Sequence, residues 1–149
     1  MRKYVLDANC YIDASRDAEA LTQLTRFSSW SAPGLFLSSV VASELRAGAP
    51  SSKDRRKLEE DILGPFVRRG RVVTPSVAAW DALGLTLATL REKEGLQLAQ
   101  VPRSFAFDIL LAYSCRQIGA VLVTGNALDM ERIRRAFAFE HMAPYPDRT

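Results

Sequence analysis

Histidine is almost missing from this chain, with His141 the only one among 149 residues, and cysteine is scarce, with Cys10 and Cys115 alone. No Cys/His spacing of the zinc type exists, and two cysteines cannot build a disulfide framework. Long apolar runs are also lacking. The longest uncharged stretch, Phe27 to Ser43, is 17 residues but holds Pro33, Gly34 and six serines, which excludes a membrane span. Met1 to Asp7 shows no apolar segment of the signal-peptide kind. These absences predict a reduced, cytoplasmic, soluble protein without a membrane partner.

What is present is ordinary for a folded globular chain: 48% apolar and 25% charged residues. The length suits one domain, so residues 1–149 read as a single unit. Net charge is only +3. Its distribution is uneven, because residues 46–71 carry eight basic side chains (Arg46, Lys53, Arg55, Arg56, Lys57, Arg68, Arg69, Arg71) against four acidic ones. A local excess of this kind can track phosphates or simply solvate a helix face.

Short β-rich runs alternate with helical stretches, which predicts an α/β fold on a mainly parallel sheet. Strands are expected at Tyr4–Leu6, Leu35–Leu37, Arg71–Val73, Ala120–Val123 and Phe137–Phe139. Helices are expected over Asp17–Trp30 and from a Ser38 or Ser39 cap to Gly48, whose glycine suits a left-handed end. Further helices are expected from Pro75-Ser76 to Glu94, stopped by Gly95, from a Ser104 cap to Gly119 after a loop over 97–103, and over Leu128–Ala136. A basic helical segment at about 52–69 sets Leu58, Ile62 and Phe66 on one stripe, with Gly64-Pro65 interrupting or kinking it. Trp30 and Trp80 read as core or interface, and both cysteines as buried structural thiols.

Four acids stand isolated in apolar sequence. Asp7 is the only charge between Lys3 and Asp13, Glu44 the only one between Arg26 and Arg46, and Asp108 the only one between Arg103 and Arg116. Asp129 is the next charge after Arg116. Carboxylates are rarely buried unless paired or bound to a cation. In a parallel sheet Asp7, Glu44 and Asp129 fall at the carboxyl edge, where open α/β folds carry their sites, and the start of the Asp108 helix can face the same edge. Oxygen-only donors favour Mg²⁺ or Mn²⁺, whose natural substrate group is a phosphate. Each acid also has a structural role open to it: a cap for Asp7, an ion pair with Arg46 or another base for Glu44, and helix-dipole pairing for Asp108 and Asp129.

In order along the chain, the motifs match a known pattern. Tyr4-Val5-Leu6-Asp7-Ala8-Asn9 is a hydrophobic strand ending in Asp-x-Asn. The second block is Leu37 to Gly48 around Glu44, and the third is Asp108-Ile109-Leu110-Leu111-Ala112 followed by Gly119. The fourth is Leu122-Val123-Thr124-Gly125-Asn126-Ala127-Leu128-Asp129. The chain resembles PIN-domain ribonucleases, most closely the VapC-type toxins of type II toxin–antitoxin systems. Met130 stands where that family commonly has Phe, a change of packing rather than chemistry.

The resemblance implies a PIN-like three-layer sandwich, with a central sheet flanked by helices. It implies that Asp7, Glu44, Asp108 and Asp129 hold one or two Mg²⁺ or Mn²⁺ ions and hydrolyse RNA with metal-activated water. Asn9, Thr124 and Asn126 are the supporting polar residues, suited to orienting acids, water or phosphate. The basic segment then fits as an RNA-facing flank, in which Arg55, Arg56, Lys57, Arg68 and Arg69 could track phosphates without any one being singled out. The implied partners are an RNA substrate, a small antitoxin in a groove that the Leu58, Ile62, Phe66 stripe could line, and a second copy in a homodimer. A catalytically silent scaffold binding RNA or antitoxin, and a stand-alone RNA-processing nuclease, are the alternatives.

Other readings of a strand ending in Asp fail on particular residues. A haloacid-dehalogenase-type phosphatase needs Asp-x-Asp and a later lysine, but position 9 is Asn and no lysine follows Lys93. No Gly-x-Gly-x-x-Gly follows the first strand, which removes a dinucleotide site. A receiver domain would need acids clustered at the first strand and a lysine after the last.

Overall fold

A computed structural model describes residues 1–148. Five parallel strands form one sheet in the order β3-β2-β1-β4-β5: β1 (Lys3–Leu6), β2 (Leu35–Ser38), β3 (Val72–Val73), β4 (Ala120–Val123) and β5 (His141–Met142). The sheet is thus wholly parallel, and PIN-like in architecture. In β1 and β4 consecutive side chains are buried, so both faces of the central strands are covered, as a sheet between two helical layers requires.

The β1–β4 register, Tyr4 against Val121 through Leu6 against Val123, sets the ends of the two strands side by side. The chain leaves β1 toward β2 on one side and returns to β4 on the other. Strand order therefore reverses at this pair, and a crevice opens beyond its carboxyl ends. Gly34 holds the entry to β2 close to the chain before β1: a Cβ there would lie 2.1 Å from the Arg2 carbonyl oxygen.

The helices are α1 (Ala8–Arg16), α2 (Ala18–Ser31), α3 (Ser39–Gly48), α4 (Ser52–Leu58), α5 (Gly64–Arg68), α6 (Val77–Glu94), α7 (Arg103–Ile118) and α8 (Ala127–Arg134). Ser38 caps α3 and Ser76 caps α6 through hydroxyls that accept from Val40 and Ala79 backbone N–H groups. Gly95 and Gly119 end α6 and α7 with φ of 68° and 69°, the left-handed conformation that glycine adopts freely.

Several expectations need correction. Helix α1 was not foreseen: it starts directly after β1, capped by Asp7, and its length of nine residues leaves little periodicity to read. Helix α7 begins at Arg103 rather than at a Ser104 cap, because Phe105 and Ala106 N–H groups already close onto the Pro102 carbonyl. The loop before it contains a single tight turn at Leu98–Gln100. Gly48 is the last residue of α3 and is not left-handed; Ala49 follows in extended conformation. The last strand is His141–Met142, not Phe137–Phe139, because the Leu122 N–H of β4 and the Thr124 N–H just beyond it reach the carbonyls of Glu140 and Met142.

Gly64-Pro65 does not break the basic segment. A widened turn over Glu59–Leu63 links α4 to α5, whose first turn accepts the proline. The widened turn brings Leu63 fully into the core at 0% exposure, while Leu58, Ile62 and Phe66 pack partly buried against that core. The stripe therefore packs against the core, the plainer of the two roles open to it, with part of its surface still accessible. Phe27 is also in the core, edge-on to Tyr4 and Trp30 at 5.2 and 5.0 Å between ring centres, whereas Trp80 is 57% exposed. Cys10 and Cys115 are free and buried.

Candidate functional site

Asp7 is the first residue after β1, and its backbone N–H continues the ladder to the Val123 carbonyl at 3.0 Å. Its side chain is held from two sides. One oxygen accepts from the Cys10 N–H at 3.3 Å, the cap of α1, and the other accepts from the Thr124 hydroxyl at the end of β4. Capping and site geometry are thus one arrangement. Thr124 is itself buried, and its oxygen accepts from the Asn126 N–H at 3.0 Å, so the β4–α8 turn is tied to the carboxylate.

Asn126 gathers two of the remaining acids. Its side-chain amide donates to Asp108 Oδ2 at 3.2 Å and to Asp129 Oδ2 at 2.9 Å, linking α7 to the first turn of α8. Glu44 comes from α3 and is half-buried. It forms no ion pair with Arg46, whose guanidinium instead takes Glu59 in a two-pronged contact at 2.5 and 3.2 Å.

The electrostatics show that the four acids share one field. Burial pushes the Asp108 carboxyl up to about 7, and the charges of Asp7, Glu44 and Asp129 push the same way, against the Asn126 hydrogen bond. Burial also raises Glu44, with Asp7 adding to it and Arg103 opposing. Asp7 is raised by burial in spite of its Thr124 and Cys10 hydrogen bonds. Such mutual repulsion is relieved by a proton or by a cation. Among the described residues, no three Asp, Glu, His or Cys side chains close into a preformed metal cage. The donors are nevertheless all oxygen, with Asp108 and Asp129 joined by the Asn126 amide and Asp7 held by Thr124. That chemistry fits Mg²⁺ or Mn²⁺, since Mg²⁺ keeps several waters and takes one or two carboxylates together with substrate phosphate.

Asn9 stands beside Asp7, whose carboxylate its backbone N–H favours, while its side chain is not among those bonded to the acids. It is exposed and lines a cavity of about 560 Å³ that begins at Asp7 and Asn126 and is bounded by Cys10, Asp13, Ala20, Gln23, Gly125, Pro144 and Tyr145. Asp13, Gln23 and Tyr145 were not singled out in the sequence, since Asp13 and Gln23 lie on exposed helix faces and Tyr145 follows the last strand. Arg103 was also missed; its field reaches Glu44 while its guanidinium lies 5.9 Å over the Phe107 ring. His141 is paired with Glu131 at 2.8 Å. Lys53, Arg55, Arg56, Lys57, Arg68 and Arg69 are all exposed. No helix among the described residues is long and apolar enough to cross a membrane.

Comparison with solved structures places this arrangement in a known fold. The chain superimposes on a chain of DNA-bound VapBC from Salmonella typhimurium with a TM-score of 0.70 and 23% identity, covering 97% of this chain and 100% of that one. A chain of FitAB bound to an IR36 DNA fragment gives 0.69 at 16% identity, with 98% of each chain covered. VapBC2 from Rickettsia felis, bound to promoter DNA, gives 0.63 at 24% identity, covering 94% of this chain and 97% of that one. The chain has their fold. No family model matches the sequence, and no curated protein does.

Proposed function

We propose that the chain is an Mg²⁺- or Mn²⁺-dependent endoribonuclease, acting as the toxin of a toxin–antitoxin pair. The single observation that carries the reading is the shared field of Asp7, Glu44, Asp108 and Asp129 at the switch point of the sheet. The full-length likeness to VapBC and FitAB chains supports it at the level of fold, and agrees with the order of the sequence motifs. A small antitoxin is the partner this reading calls for.

The ion would sit among Asp7, Glu44, Asp108 and Asp129, and the chemistry it supplies is acidification of a water and neutralisation of charge on the phosphodiester. The protein's own part is positioning. Thr124 and the Cys10 N–H immobilise both oxygens of Asp7, and Asn126 fixes the spacing of Asp108 and Asp129. Fixed orientations of this kind lower the reorganisation needed when charge develops. His141 of β5 is held by Glu131 of α8, which leaves no imidazole at the site to serve as base. The exposed cations of α4 and α5 offer a path for the phosphate backbone.

The test is cleavage of single-stranded RNA by the purified full chain, free of any antitoxin. Cleavage is expected with Mg²⁺ or Mn²⁺, abolished by chelator and lost in Asp7→Asn and Asp108→Asn. RNA that is bound but never cut would instead identify a binding scaffold.

A further inference from the structure

The cavity beside Asp7 shares Asp7, Cys10 and Asn126 with the acid centre, but its far side, with Asp13, Gln23 and Tyr145, has no part in positioning the acids. Its volume of about 560 Å³ lies in the range of small-ligand pockets, roughly 300–1,000 Å³. Asn9 and Asp13 lie one helical turn apart on α1, and Ala20 and Gln23 one turn apart on α2, so two helix faces present two amides and a carboxylate to the same space. Pro144 and Tyr145 complete the lining. Burial raises the Tyr145 hydroxyl, with the nearby Cys10 and Asp13 adding to it, so it stays a protonated donor.

The lining contains no lysine or arginine but two carboxylates, Asp7 and Asp13. Asp7 belongs to the proposed ion site but Asp13 does not, so away from the ion this cavity repels a phosphate and admits a neutral planar group with hydrogen-bonding edges. Among the described residues Asp13 makes no ion pair, so its acceptor oxygens are free for a ligand.

We infer that this cavity receives one unstacked nucleobase of the RNA next to the cleaved phosphate, with Asp13 and Gln23 reading its edge. The inference rests on the chain acting on RNA. Adenine and cytosine present an amino donor beside a ring-nitrogen acceptor. Asp13 accepts from the amino group, and the Gln23 amide donates to the ring nitrogen. Uracil turns a carbonyl toward the Asp13 carboxylate, two acceptors facing each other, so discrimination comes from repulsion as well as attraction.

The experiment measures binding without cleavage. Fluorescein-labelled oligo(C), oligo(A) and oligo(U) RNA are titrated with the full chain in chelator, read by anisotropy, for wild type, Asp13→Asn and Gln23→Ala. Oligo(C) and oligo(A) are expected to bind about tenfold more tightly than oligo(U), a discrimination of the size one good edge contact supplies. Asp13→Asn should collapse the ratio toward one while thermal melting stays unchanged. Equal wild-type affinity for the three RNAs, no binding to any of them, or an Asp13→Asn loss that is uniform across them overturns the inference. Base preference in chelator followed by no cleavage on adding Mn²⁺ defeats the nuclease reading and leaves the pocket standing. Cleavage without base preference does the reverse.

Discussion

The Thr124 hydroxyl donates to the Asp7 carboxylate across 117 positions of sequence, joining the carboxyl ends of β1 and β4 where strand order reverses. That contact makes Asp7 both a helix cap and an oriented oxygen donor. Thr124→Val should keep the fold but lower Mn²⁺ affinity and RNA cleavage by about 10- to 100-fold, the usual cost of losing a group that orients a ligand. Thr124→Ser should restore most of both. Calorimetry and single-turnover cleavage read the outcome; a valine variant with wild-type affinity would remove Thr124 from the site.

Asn126 holds Asp108 and Asp129 at one spacing, with the amide bridging α7 and α8. Asn126→Ala should weaken divalent-ion binding by a similar 10- to 100-fold while leaving the melting temperature within a few degrees. Unchanged ion affinity would mean that the amide is only a turn-stabilising group.

The pH behaviour follows from the raised carboxyls. Asp108 sits near 7 in the folded chain against an ordinary 3.8, and Asp7 and Glu44 are displaced the same way. A folded-state pKa above the unfolded one means that the native state holds its proton longer. The contribution of these three carboxyls to metal-free stability is therefore fullest below the ordinary carboxylate range and is lost as pH rises toward 7, against the opposite trend of the salt-bridged Glu59, Glu94 and Glu131. Mn²⁺ should reverse the trend, binding more tightly with rising pH as the protons leave. Melting curves from pH 4 to 8, with and without Mn²⁺, test the sign; Asp108→Asn should flatten the metal-free slope.

These predictions also show where the sequence was readable. Isolated carboxylates in apolar surroundings marked Asp7, Glu44, Asp108 and Asp129, because ionised groups are costly there without a shared purpose. The parallel sheet was legible from the alternation of β runs and helices, and Gly95 and Gly119 marked their helix ends. What the sequence concealed depends on tertiary contact. Helix α1 is too short to show a period, Asp13 and Gln23 look like solvated helix positions, and Phe137–Phe139 mimics a strand that β4 pairs further along.

The widened turn at Glu59–Leu63 is a second place where a regular 3.6-residue pattern misleads. Leu63→Ala should cost about 2–5 kcal/mol, as for a fully buried leucine. Leu58→Ala, at a partly buried position, should cost less. Denaturant unfolding of both variants decides it, and equal losses would contradict the core position of Leu63.

Arg46 and Glu59 form a half-exposed ion pair rather than drawing Glu44 away from the acids. Arg46→Ala should shift stability by only about 0–1 kcal/mol and leave Mn²⁺ affinity unchanged. A large loss of ion binding would place Arg46 among the groups that orient Glu44.

The most direct measurement is calorimetric titration of the antitoxin-free chain with Mn²⁺ at pH 7.5, repeated with Asp7→Asn, Glu44→Gln, Asp108→Asn and Asp129→Asn. One set of sites weakened by every substitution is the result a shared carboxylate centre predicts. Absence of binding in the wild-type chain, or four variants that each bind as the wild type does, would contradict it.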